Sequence, residues 1–183
     1  MMVLFPREGP ENTAETVRLA VEGARSRDLR HLVIASCSGA TARAFLPYRH
    51  DFTLVVVTHA VGFAGPGLDE MPAAVRAELG AAGCRLVTAA HVLSGAERGL
   101  SRKFGGVYPV EIIAHTLRLF GQGVKVGVEI AVMALDAGAI PHGVDVVAVG
   151  GSGEGADTAL VLRPSHVQSI LETHVVEILC KPA

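Results

Sequence analysis

The 183-residue sequence is half hydrophobic and 19% charged, and it carries a formal charge of −2 at pH 7. That much apolar chain suits one compact domain, residues 1–183, whose core needs no disulfides. A near-neutral balance without a basic stripe excludes nucleic-acid binding driven by phosphate neutralisation. The cysteines Cys37, Cys84 and Cys180 lie far apart with no CxxC spacing. Neither a zinc knuckle nor a dithiol motif is supported, and reduced thiols in the cytoplasm are expected. The opening MMVLFPREGP lacks a basic flank before a long apolar core, so no signal peptide is expected. Apolar runs are too short for a membrane span; the longest, Val124 to Leu135, is interrupted by Lys125 and Glu129.

In chain order, Val3 to Phe5 is a short apolar run ended by Pro6 and Gly9. Asn12 and Glu15 have the spacing of a capping box, and Val17, Ala20, Val21 and Ala24 form the apolar face of the helix they open. Arg25, Arg27 and Arg30 read as solvated surface near its end, where cations suit the dipole. His31 to Ala35 reads as a buried strand that breaks into Ser36-Cys37-Ser38-Gly39-Ala40-Thr41. A short helix with Ala42, Phe45 and Leu46 follows. A strand feeding a helix through such a turn leaves amides and hydroxyls free at a helix N-terminus, which suits a phosphate. The same residues also serve as ordinary N-caps.

Thr53 to Thr58 has the unbroken β-branched pattern of a strand covered on both faces. A loop from His59 to Gly67 precedes a helix that starts at Asp69 or Pro72 and ends near Ala82, with Gly83 past its end. Arg85 to Thr88 is a further parallel strand. His91 to Val107 is the least regular stretch and reads as a long functional loop whose Arg102 and Lys103 could close over an anion. Pro109 opens a helix with Ile112, Ile113, Leu117 and Phe120 as its buried positions, and Lys125 to Ala137 forms another, closed by Gly138 and Pro141. On that helix Lys125, Glu129 and Asp136 share a stripe, so a salt-bridged solvent edge is expected. A Glu129 facing the crevice would instead be a buried carboxylate of raised pKa. Asp145 to Val149 is a strand ending in GGSGEGADT, and Thr158 to Leu162 and Val175 to Leu179 are two late strands. Strand–helix alternation implies a three-layer α/β/α fold, its sheet mostly parallel with one or two late antiparallel strands.

In such sheets ligands bind beyond the strand C-termini. Four loops fall there: Ser36–Thr41, His59–Gly67, Ala89–Gly95 and Gly150–Thr158. The candidate binding residues are Ser36, Cys37, Ser38, Gly39, Ala40 and Thr41 of the first, His59, Gly62 and Phe63 of the second, and Gly151, Ser152, Gly153 and Asp157 of the last. Asp157 is positioned to cap or orient its turn. No GxGxxG or GxxxxGK[ST] occurs, which disfavours a dinucleotide fingerprint and a P-loop. His59 and His91 could transfer protons, but no partner acid, metal-ligand spacing or GxSxG elbow accompanies them.

The run ASCSGATARAFLPYRHDFTLVVVTH, Ala35 to His59, resembles the carboxy-terminal α/β domain of pyruvate kinase, except that the corner reads Pro47-Tyr48-Arg49. The segment Phe5 to Thr13 and the turn Gly150 to Leu160 are similar to those of stand-alone proteins with that fold. The resemblance implies a phosphate loop at Ser36 to Thr41 and, for the stand-alone group, flavin mononucleotide (FMN) in the same crevice. Without the barrel or catalytic residues of pyruvate kinase, kinase activity is not expected. The expected function is binding of a phosphorylated ligand, FMN foremost, with flavin redox chemistry following only if it binds productively. Alternatives are a regulatory sensor of sugar phosphates and a non-catalytic, homo-oligomeric assembly module.

Overall fold

The computed structural model describes residues 2–183. Its elements run β1 (Val3–Phe5), α1 (Thr13–Arg25), β2 (His31–Ala35), α2 (Ala40–Phe45), β3 (Thr53–Thr58), α3 (Ala73–Ala81) and β4 (Arg85–Thr88). They continue with α4 (Gly95–Phe104), α5 (Pro109–Arg118), α6 (Gln122–Asp136), β5 (Val146–Gly150), β6 (Thr158–Arg163) and β7 (His174–Pro182). All strands join one seven-stranded sheet in the order β1-β7-β6-β5-β2-β3-β4. Only β6 runs against the rest, through antiparallel ladders to β5 and β7, so the expected mostly parallel α/β architecture is the one observed.

Both sheet faces are covered, which explains why the central strands are apolar without alternation. Leu32, Ile34, Leu54 and Val56 point to one side, against Val17, Ala20 and Val21 of α1, Phe45 of α2 and Leu79 of α3. Val33, Val55, Val57 and Ala148 point to the other, against Val128, Ala131 and Leu135 of α6. The helix α6 lies directly on the sheet because its contact face carries glycines. An added Cβ at Gly127 would sit 2.7 Å from Leu160 Cδ1, and one at Gly123 would collide with Thr158.

Several local expectations need correction. Asn12 does not cap α1: its backbone is helical, and its side-chain amide donates to the carbonyls of Arg7, at 2.8 Å, and Gly9, at 3.3 Å. It thereby staples the entering turn instead of the helix. The stretch from His91 to Val107 is not a structureless loop, since α4 fills most of it without burying any residue. On α5 Ala114 is buried and the expected Leu117 packs partly buried against the core beside α6, whereas Ile112 and, just past the helix, Phe120 are exposed. The Arg25–Asp51, Arg27–Glu177 and Arg30–Asp28 ion pairs keep the basic cluster at the surface.

Candidate functional site

The loop after β2 folds as a tight left-handed turn. Gly39 has φ +88°, and its Cα faces Val75 of α3 so closely that a Cβ would collide with it. Gly39→Ala is therefore expected to cost about 1–2 kcal/mol in urea unfolding, from overpacking and a backbone that L-residues avoid. Ser36 is buried, and its Oγ accepts the Ala42 amide at 3.2 Å, while Ser38 Oγ accepts the Ala40 amide at 3.4 Å. Both serine oxygens thus act as caps. The amides of Cys37, Ser38, Gly39 and Thr41 make no backbone hydrogen bond among the described residues. Thr41 is buried, and Ala40 is exposed.

The turn after β5 is tied down internally. Asp157 is 1% exposed, and its carboxylate accepts the Gly9 amide at 3.3 Å, the Ser152 amide at 3.2 Å and the Thr158 hydroxyl at 2.8 Å. The Ala156 amide donates to Thr13 Oγ1 at 3.0 Å, and Thr16 Oγ1 donates to the Ala156 carbonyl at 3.2 Å. Asp157 thus orients the turn and clamps it to the segment before α1. Gly151 packs against the Gly155 carbonyl, whereas Gly153 faces open space.

A cavity of about 140 Å³ opens at the C-terminal ends of β2 and β3, beneath α6 and rimmed by α4 and α5. Of the residues expected from sequence, Cys37, His59 and Phe63 line it; Gly62 shapes the adjoining loop, its amide bonded to the Leu68 carbonyl at 2.8 Å. Ser36, Ser38, Gly39, Ala40 and Thr41, together with Gly151, Ser152, Gly153 and Asp157, are not among its walls. Phe63 and His91 meet His59 with ring centroids 4.0 and 5.0 Å away, forming an aromatic corner. His59 Nδ1 lies 2.7 Å from Glu70 Oε2, the acid partner that spacing did not identify. Burial holds His91 below the usual histidine range, and it pushes the Cys37 thiol up.

The expected solvent edge of α6 is overturned. Lys125 and Glu129 are 6% and 4% exposed, form an ion pair one turn apart, and line the cavity. Glu129 Oε1 also accepts the Leu93 amide at 2.9 Å. Only Asp136 of the stripe reaches the surface, bonded to His166 at 2.7 Å. The side of α6 facing away from the sheet is covered by α5 and by residues 91–94, so both faces of the helix are interior. Burial lowers the Lys125 pKa, Glu129 opposes that shift, and Arg118 and Arg98 add to it. Arg98 of α4 and Arg118 of α5 complete the rim, Arg118 Nε donating to Gln122 Oε1 at 2.7 Å. Neither arginine forms an ion pair among the described residues. Sequence gives no sign of these two, because α4 and α5 expose apolar side chains such as Phe104 and Ile112 that do not mark the side that docks.

Among the described residues no helix is long and apolar enough to cross a membrane. Comparison with solved structures finds pyruvate kinases of Cryptosporidium parvum. One is 18% identical, with 82% of this chain and 22% of that chain covered and a TM-score of 0.44. Another, solved in complex with ADP, is 19% identical over 81% of this chain and 22% of that one, with a TM-score of 0.41. The chain thus spans about a fifth of the length of these enzymes. The family model described as pyruvate kinase, alpha/beta domain, matches residues 14–162. The chain therefore belongs to the pyruvate kinase alpha/beta domain family.

Proposed function

We propose that the chain is a small-molecule-binding protein that takes a phosphorylated ligand in the crevice at the strand C-termini, with FMN the first ligand to test. The observation that carries this reading is the charge of the cavity wall, where Arg98, Arg118 and Lys125 face a single carboxylate, Glu129. Clustered cations at a partly enclosed site raise the local concentration of anions, and arginine binds phosphate through two parallel hydrogen bonds. The pairing of Phe63 with His59 supplies aromatic cover of the kind a flavin ring needs.

The fit to FMN is partial. A cavity of about 140 Å³ is smaller than the roughly 300–1,000 Å³ of sites that enclose cofactor-sized ligands. A space of that size would hold only one end of the molecule, with the exposed Phe63 as the aromatic side chain at its edge. Bound flavin would supply electron transfer; the chain's own part is to hold the anionic end with Arg98 and Arg118 and to cover the ring with Phe63. The same small volume favours a second reading, a sensor of sugar phosphates. Three free cysteines agree with a reducing cytoplasmic setting for either ligand.

An absorbance spectrum of freshly purified protein between about 350 and 500 nm tests for resident flavin. Melting temperature should rise with FMN or, on the second reading, more with fructose 1,6-bisphosphate. Arg98→Ala is expected to weaken binding of the active ligand by about 10- to 100-fold, the size of a lost charge-assisted hydrogen bond. Colourless protein whose melting temperature moves with neither compound overturns the proposal.

A further inference from the structure

As a phosphate-binding wall residue Lys125 acts only through its positive charge, yet it is also an amine set in the lining of the anion-attracting cavity. The chain's lysines are Lys103, Lys125 and Lys181, and nearly all its other basic charge is arginine. Lys103 is exposed, and Lys181 donates to the Pro182 carbonyl at 2.7 Å. A cation needed only to neutralise Glu129 could be arginine, which binds carboxylates in a rigid fork; lysine differs in being able to lose its proton and act as a nucleophile.

We propose that Lys125 captures a small anionic carbonyl compound, an aldehyde or ketone bearing phosphate or carboxylate, as an imine. This rests on the anion-binding reading above, because Arg98 and Arg118 at the rim hold the charged end while the carbonyl reaches the amine. Glu129 is placed to move the protons. Its Oε1 is held by the Leu93 amide, which leaves Oε2 on Lys125 Nζ.

The step balances without an oxidant or reductant. The Lys125 ammonium gives a proton to Glu129 Oε2, and the freed nitrogen lone pair forms a bond to the carbonyl carbon. The carbonyl oxygen takes up a proton from the nitrogen to become a hydroxyl. Glu129 returns its proton to that hydroxyl, which leaves as water, and the C=N bond forms as an iminium paired with the Glu129 carboxylate. The groups that set the amine's protonation come from every neighbouring element. They are Glu129 on α6, Arg98 on α4, Arg118 on α5, His91 after β4, His59 after β3 and Cys37 after β2. Burial and the two arginines favour the neutral amine, and Glu129 opposes them.

The test incubates intact protein with glyceraldehyde 3-phosphate and sodium cyanoborohydride, which reduces an imine to a stable amine, and maps the adduct by mass spectrometry. The expected result is labelling of Lys125 at least about tenfold over Lys103 and Lys181. Excess glycerol 3-phosphate, which has no carbonyl, should suppress it. It should be absent from Lys125→Arg and from the doubly neutral Lys125→Met/Glu129→Gln, each checked for native circular dichroism. Labelling that follows exposure, with Lys103 first, overturns the imine, as does Lys125 labelling just as fast with uncharged propanal. Melting temperature with glycerol 3-phosphate separates the two proposals. A rise without an adduct sinks the imine alone; no rise with no adduct also sinks the imine, and the anion-binding reading falls with it where FMN and fructose 1,6-bisphosphate likewise leave the melting temperature unchanged.

Discussion

Lys125→Met is expected to lower the free energy of unfolding by about 3–5 kcal/mol, the cost of leaving a buried carboxylate without its partner. Methionine nearly matches the lysine stem in length, so the loss comes from charge and not from an empty volume. Glu129 keeps the Leu93 amide at 2.9 Å, which satisfies only one of its oxygens. Replacing both partners, Lys125→Met with Glu129→Gln, should recover most of the loss, because a neutral amide accepts the same Leu93 hydrogen bond and pays no ionic desolvation. Urea unfolding of the two single variants and the double variant gives the coupling energy directly. A single-variant loss below about 1 kcal/mol would mean that the pair is solvated and worth no more than a surface ion pair.

Asp157→Ala is expected to cost about 2–3 kcal/mol, since it strips the acceptor from the Gly9 and Ser152 amides and from the Thr158 hydroxyl together. The hydroxyl can rotate to another acceptor, but the two amides cannot. Asp157→Asn keeps one acceptor oxygen and should recover roughly half of the loss. Proteolysis of the native protein provides the local reading. Cleavage between residues 150 and 158 should accelerate in the alanine variant beyond what its global stability predicts, because the turn loses its tie to the segment before α1. Equal protection in both proteins would show that the backbone of the turn holds its shape unaided.

The sequence made the layered architecture legible where pattern and burial coincide. Strands β2, β3 and β5 are apolar without alternation because helices cover both faces of the sheet. The turn at Gly150 to Thr158 was legible as a glycine-rich feature, and the role of Asp157 in orienting it was among the expectations. What escaped was set by tertiary docking. Asn12 and Glu15 have capping-box spacing, yet Asn12 spends its amide on Arg7 and Gly9. Lys125 and Glu129 fit the pattern of a solvated helical pair, and nothing local reveals that another helix roofs them. Arg98 and Arg118 are positioned by α4 and α5, whose exposed Phe104 and Ile112 obscure the inward side. Cys37, His59 and Phe63 line the cavity, and their place in the loops after β2 and β3 is legible because the ends of strands can be located from sequence alone.

The glycine contact face of α6 has a consequence for selectivity. Where Gly123 and Gly127 meet the sheet there is no side chain left to compress, so the backbone that carries Lys125 and Glu129 cannot sink or tilt to admit a longer guest. Depth is therefore a constant of the molecule, and any tolerance for bulk has to come from the α4–α5 wall, which buries little of its own surface.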